Sequence, residues 1–125
     1  MPDTLVPVIL RMIASPADCA AVQSRLSVLC GEQGMTYAVT QDEAYWKIPD
    51  KREMNVHLYA CPVWNYGRWS KVYHMLFGQN FTLEWEANES IHLFTYPPAD
   101  SEAPWTELFI PSPCFWPKPS KDIRH

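Results

Sequence analysis

A near-continuous apolar run from Leu5 to Ala14 ends at Ser15-Pro16-Ala17-Asp18, and that junction constrains the fold more than any other stretch. The run is rich in β-branched Val and Ile, which suits a strand covered on both faces. Ser15 is a good N-cap, Pro16 sits where its missing N–H costs nothing, and Asp18 favours the positive end of a helix dipole. Cys19, Val22, Leu26 and Leu29 then recur at helical spacing as one apolar stripe. Gly31 or Gly34 can supply the left-handed residue that ends the helix. The chain therefore opens as strand, then helix.

Beyond that opening, Tyr37 to Val39 and Ala44 to Ile48 read as strand, interrupted near Gln41-Asp42. Pro49-Asp50-Lys51-Arg52 is a turn. Asn55 to Cys61 alternates Val56, Leu58 and Ala60 against His57, Tyr59 and Cys61, so Ala44 to Cys61 reads as a hairpin. A second helix fits Tyr66 to Phe77, with Trp69, Val72, Tyr73 and Leu76 on one side and Gly78 as its stop. Phe81, Leu83 and Trp85 alternate with Thr82, Glu84 and Glu86, a pattern expected of a half-buried strand with an acidic outer face. After a turn at Ala87-Asn88-Glu89, Ile91 to Tyr96 is a further strand. Seven of the twelve prolines fall between Pro97 and Pro119, which excludes helix there. Trp105 to Ile110 reads as an edge strand, Phe115-Trp116 as a segment packing back on the body, and Lys118 to His125 as a mobile end.

The order β-α-β-β-α-β, followed by more strand and a Pro-rich C-terminal extension over 97–125, predicts one α+β domain spanning residues 1–125. The simplest architecture is a ferredoxin-like split β-α-β sandwich, an antiparallel sheet with two helices on one face. A chain of 125 residues can bury enough surface to need no metal or disulfide staple. Cys19, Cys30, Cys61 and Cys114 show no C-x-x-C spacing and are expected as free thiols. The start Met-Pro-Asp-Thr is not a secretory leader, and no run approaches the length of a membrane span. These features lead to the expectation of a cytoplasmic protein with no membrane contact.

Dispersed residues offer little chemistry. There is no Walker loop, dinucleotide fingerprint, nucleophile elbow or H-E-x-x-H, and neither a catalytic residue, a metal site nor a cofactor is expected. His57 and Cys61 lie four apart, which on one strand separates them by more than about 12 Å and prevents them from sharing a zinc ion. Cys61 and His92 could form a nucleophile pair only with a thiolate-stabilising positive field, and nothing basic lies near either in sequence. Glu84 and Glu86, same-face neighbours on a strand, lack the burial that would raise one carboxyl for acid catalysis. Trp64 ends a strand and His74 follows ten residues later on a helix. That placement resembles the tryptophan and histidine of ferredoxin-like haem-degrading monooxygenases, although the asparagine those enzymes use on their first strand has no counterpart in Leu5 to Ala14. The corresponding alternative function is a small-ligand-binding protein or enzyme with a pocket around Trp64, Trp69 and His74.

Charge distribution is more informative. Residues 1–71 carry seven basic and seven acidic side chains, whereas residues 72–117 carry no Lys or Arg but six carboxylates: Glu84, Glu86, Glu89, Asp100, Glu102 and Glu107. Trp85, Phe94, Tyr96, Trp105, Phe109, Phe115 and Trp116 are interleaved with them. Carboxylates beside large rings are the ingredients of an interface for a basic protein, the charges steering encounter and the rings supplying buried anchors. Nucleic acid is disfavoured as a direct ligand because no basic stripe meets phosphates. In size, acidity and aromatic content the chain resembles small acidic bacterial toxin-immunity proteins. That resemblance implies a non-enzymatic binding module that forms a one-to-one complex with a basic toxin domain acting in the cytoplasm, for instance a nuclease. The expected partner-binding residues are Glu84, Trp85, Glu86, Glu89, Glu102, Trp105 and Glu107, with the chain itself a monomer or a homodimer through a sheet edge.

Overall fold

A computed structural model describes residues 6–87, 90–96, 104–111 and 114–116. Strand β1 (Val8–Ala14) leads through Ser15 into helix α1 (Pro16–Gln33), and the Ser15 hydroxyl accepts from the Asp18 amide at 3.1 Å. Of the two candidate stops, Gly34 is the one that ends α1: its φ of 70° is the left-handed conformation glycine reaches at low cost, and its amide donates to the Cys30 carbonyl. Strands β2 (Thr36–Ala44) and β3 (Arg52–Tyr59) form a hairpin. The short strand β4 (Trp64–Asn65) runs into helix α2 (Tyr66–Phe77). Asn65 caps α2 by accepting from the Arg68 amide at 2.8 Å, and Gly78 closes it. Strands β5 (Leu83–Ala87), β6 (Ser90–Thr95) and β7 (Trp105–Ile110) then form a meander, and β8 (Phe115–Trp116) pairs in parallel with β4.

Six strands make one antiparallel sheet in the order β2-β3-β1-β7-β6-β5. The architecture is thus α+β. Both helices pack on one sheet face, because Leu10, Met12, Met54, Val56, Leu58, Ile91, Leu93, Leu108 and Ile110 join Val22, Leu26, Trp69, Tyr73 and Leu76 in a single buried cluster. Tyr73 brings a hydroxyl into that core. It bonds the Thr95 and Thr106 side chains and donates to the Thr106 carbonyl at 3.2 Å, so the buried oxygen is satisfied. Burial pushes the Tyr73 hydroxyl pKa up, against the hydrogen bonds from the two threonines.

Three expectations are corrected. The hairpin's first arm is Thr36–Ala44, with a bulge between Val39 and Gln41; residues 45–51 form the turn, closed by the Tyr45 amide on the Lys51 carbonyl at 2.8 Å. Strand β7 is interior, paired to β1 on one side and β6 on the other. Its prolines, Pro104 and Pro111, flank it, so every amide within it is free to join a ladder. Strand β5 presents its faces the other way round from the expected pattern, as described below. The segment from Lys118, expected to be mobile, and the Asp100 and Glu102 region of the extension lie outside the described residues.

Replacing Leu108, fully buried between β1 and β6, with Ala is expected to cost about 2–5 kcal/mol. Loss of the Ser15 cap in Ser15→Ala should cost about 1 kcal/mol. Urea denaturation checks both; a Leu108→Ala variant as stable as wild type would refute the assignment of the covered sheet face.

Candidate binding surface

Antiparallel partners share a face, so the strand register defines the side of the sheet that the helices leave open. Its first row runs Trp85, His92, Phe109, Ile9, His57, Ala38; its second runs Leu83, Phe94, Glu107, Arg11, Asn55, Gln41. A third row includes Trp105, Ile13, Glu53 and Glu43. No described helix covers these rows. The β5-β6-β7 half is aromatic: Trp85 is 65% exposed, Leu83 49%, Tyr96 41% and Phe109 38%. Successive rings touch, with centroid separations of 4.6 Å for His92–Phe94, 4.7 Å for Phe94–Tyr96 and 4.8 Å for Tyr96–Trp105. A continuous strip of partly exposed rings is unusual on a surface that meets only water.

At the centre of this face Arg11 is held between two carboxylates of the chain. Arg11 donates through Nη2 to Glu53 Oε2 at 2.7 Å and through Nη1 to Glu107 Oε2 at 3.0 Å. Glu107 also accepts from the Tyr96 hydroxyl at 3.0 Å and lies 3.3 Å from His92 Nε2. Burial pushes the Glu107 carboxyl up, but hydrogen bonds from His92 and Tyr96 and the charge of Arg11 outweigh it, and the net shift is downward from 4.5. Arg11 sits above its usual value because the two carboxylates outweigh its partial burial. Side chains held this way position the rings of Tyr96 and Phe94 beside them.

The expected acidic field does not gather in one place. Glu84 pairs with Leu93 and Glu86 with Ile91, so both lie on the helix side of the sheet, while Trp85, Trp105 and Glu107 lie on the open side. Glu84 accepts from the Tyr66 hydroxyl at 2.6 Å. Strand alternation correctly separates Glu84 and Glu86 from Leu83 and Trp85, but it carries no sign. The apolar set faces the uncovered side because α2, starting at Tyr66, shares the other side with the carboxylates. Glu89 and Glu102 lie outside the described residues. Sequence reasoning missed Glu53 and Arg11 as members of this surface; their alternation with Met54, Leu10 and Met12 along β3 and β1 was the available signal.

The alternative pocket is also dispersed. Trp69 is wholly buried and donates its indole N–H to the Cys114 carbonyl at 2.8 Å, and His74 is exposed on α2. Trp64 meets Trp69 edge-on at 4.8 Å and carries Arg68 over its ring at 4.9 Å. A surface hollow of about 330 Å³ is lined by Val63, Trp64, Asn65 and Arg68, so of the three expected pocket residues only Trp64 reaches it. Cys61 packs against the core, whereas His92 lies on the open face beside Glu107, and the two do not form a nucleophile pair. Among the described residues there is no group of three or more His, Cys, Asp or Glu placed to hold a metal, and no helix long and apolar enough to cross a membrane. No protein-family model, no curated protein and no solved structure matches this chain.

Because the folded-state carboxyl of Glu107 titrates below its ordinary value, its contribution to stability is fully present above about pH 4.5 and is lost as the pH falls through the folded value. Glu107→Gln should therefore be less stable than wild type at pH 7, and the gap should narrow steadily below pH 4.5. Urea midpoints across pH 3–7 check this; a gap that widens on acidification would contradict the ion-pair assignment.

Proposed function

We propose that this chain is a non-enzymatic binding module that docks a basic protein partner on the open face of its sheet, in the manner of a small immunity protein masking a toxin domain. The observation that carries the reading is the contiguous strip of Trp85, Leu83, Phe94, Tyr96 and Phe109, with rings partly exposed beside a polar centre in which Arg11 is held by Glu53 and Glu107. Exposed aromatics supply anchor area at small entropic cost, since each ring has few torsions to fix. The charge of the face favours a cationic partner. Its described strand residues carry Glu43, Glu53 and Glu107 against the single cation Arg11. Glu84 and Glu86 flank the face from across the β5 edge and add to the negative field a partner meets on approach.

Aromatic rings on an open sheet also serve as stacking platforms for single-stranded nucleic acid, but those platforms need cations for the backbone phosphates. Here the one guanidinium on the face is occupied by two carboxylates, which favours protein over nucleic acid. A ferredoxin-like frame for the module is supported by β3 lying between β1 and β2, with β7 taking the far side of β1 and with β6 and β5 as additions beyond it. A cytoplasmic site of action accords with four free thiols.

The test uses the intact chain immobilised as bait in extract from its native cell, followed by kinetics with the purified partner. A basic partner is expected, with association slowing as salt rises. Trp85→Ala should weaken the complex at least about tenfold while leaving thermal stability nearly unchanged, because the ring is mostly solvent-exposed in the free chain. Binding indifferent to both Trp85→Ala and Phe109→Ala would remove the open face from the interface and the proposal with it.

A further inference from the structure

The two margins of the sheet differ in chemistry. Strand β5 carries Glu84 and Glu86, whereas Thr36, Tyr37, Ala38, Val39 and Thr40 of β2 include no charged side chain. β2 pairs with β3 on one side, and no described strand pairs with its other side. A margin of this kind offers unpaired amides and carbonyls to another strand, and no charge discourages the addition. Val39 is 39% exposed there, and Tyr37 packs its ring partly on the core. The bulge between Val39 and Gln41 ends the regular segment.

The register identifies which main-chain groups face outward. The Tyr45 amide donates to the Lys51 carbonyl at 2.8 Å, and bonded and non-bonded positions alternate along an antiparallel ladder. Glu53, Asn55, His57 and Tyr59 therefore turn their N–H and C=O groups toward β2, since β3 pairs with β1 without a break. Ala38 faces His57 and Thr36 faces Tyr59, so these two residues bond β3. Tyr37 and Val39 point their N–H and C=O groups away from the sheet. Their side chains, opposite Leu58 and Val56, lie on the helix side, and the Ala38 methyl lies on the open side.

We infer that the margin of β2 is a homodimer interface, in which residues 36–40 of two copies pair antiparallel about a two-fold axis at Ala38. Only this register lets both outward residues of each copy bond: Tyr37 lies opposite Val39 of the second copy, and Val39 opposite its Tyr37. A shift by two positions along either strand leaves a single such pair. On the helix side each Tyr37 ring meets a Val39, an aromatic–β-branched contact that covers the exposed valine. Thr36 falls opposite Thr40, and Asp42 and Glu43 fall opposite Gly34 and Gln33, so no like charges meet. The same operation on β5 about Trp85 sets Glu84 against Glu86 twice, which disfavours that margin. Helix α1 touches β1, β2 and β3 and so lies over β3. Its two copies would stand three strand spacings apart, about 14 Å, which exceeds a helix diameter. The aromatic strips of the two copies end at opposite ends of the joined sheet, so the dimer neither uses nor blocks the face proposed for the basic partner. So short a contact implies reversible association.

Sedimentation velocity on the full chain from about 10 µM to about 1 mM should show reversible monomer–dimer exchange. Amide hydrogen exchange should slow at Tyr37 and Val39 at the upper concentration, with Ala38 unchanged. Ala38 is exposed and sits opposite its own copy. Ala38→Lys and Ala38→Glu should therefore each keep the wild-type urea midpoint and weaken self-association at least about fivefold, because like charges then oppose. An equimolar mixture of the two variants should form a heterodimer at least as tight as the wild-type homodimer. Variants that associate like wild type, or a mixture no tighter than either variant alone, would overturn the inference. So would slowed exchange that leaves out Tyr37 and Val39, a result that needs no variant to fold. A wild-type chain monomeric at the highest concentration would leave the margin to an extended segment of another protein and refute the dimer.

Discussion

Two helices cannot cover both faces of a six-stranded sheet, and that shortage of cover governs the rest of the molecule. Six strands span about 24 Å, and helices each about 10 Å wide fill one such face when laid side by side. Here α1 and α2 both join the core on the side of Leu10, Val56, Leu93 and Leu108. The register then leaves Ile9, Arg11, His92, Phe94, Glu107 and Phe109 on a surface with no helix above it. An antiparallel sheet tolerates this, because one face packs and the other meets solvent. What it does not require is that the solvent face be aromatic.

The open face divides along β1. Toward β2 it is polar, with Asn55 hydrogen-bonded to Gln41 and the His57 ring near the Tyr59 hydroxyl. Toward β5 it is a chain of rings ending in Trp85. Between the halves, Arg11 joins Glu53 on β3 to Glu107 on β7 across three strands. Half-buried ion pairs of this kind contribute modestly to stability, because desolvation offsets much of the attraction. Their structural effect is more specific: the Tyr96 hydroxyl donates to Glu107, and Tyr96 in turn packs against Phe94 and Trp105. The charge network therefore fixes the geometry of the aromatic strip.

How much of this was legible in the sequence depended on how local the signal was. Both helices follow from local signals, the Ser15-Pro16 start of α1 and the Gly78 stop of α2, which act within one turn; the Asn65 cap and the choice of Gly34 over Gly31 come from the structure. Strand positions were readable from alternation, as in β3 and β6, to within a few residues. The neighbours of a strand were not. Strand β7 was expected at an edge, yet Pro104 and Pro111 lie outside its ladder and the strand sits third from the β5 end. The cation-free stretch likewise suggested one acidic field, because sequence distance hides that Arg11 lies opposite Glu107 in the register, 96 positions away.

The division of β5 into unlike faces bears on how a partner can approach. An edge strand exposes unpaired amides and carbonyls that invite another chain to add to the sheet, and charged side chains discourage that. Glu84 and Glu86 project from the helix side of β5 along the margin with which no described strand pairs, whereas Trp85 projects from the other side. A chain adding alongside β5 would meet two carboxylates unless it carried cations there. A surface lowered onto the open face meets the indole, Leu83 and the rings of β6 directly, with the same two carboxylates at its rim. Rim charges change encounter rates more than residence times, and buried rings do the reverse. If a partner docks on this face as proposed, the sign of the strand's pleat, set by which face the helices occupy, gives Glu84 and Glu86 the rim position and Trp85 the covered one.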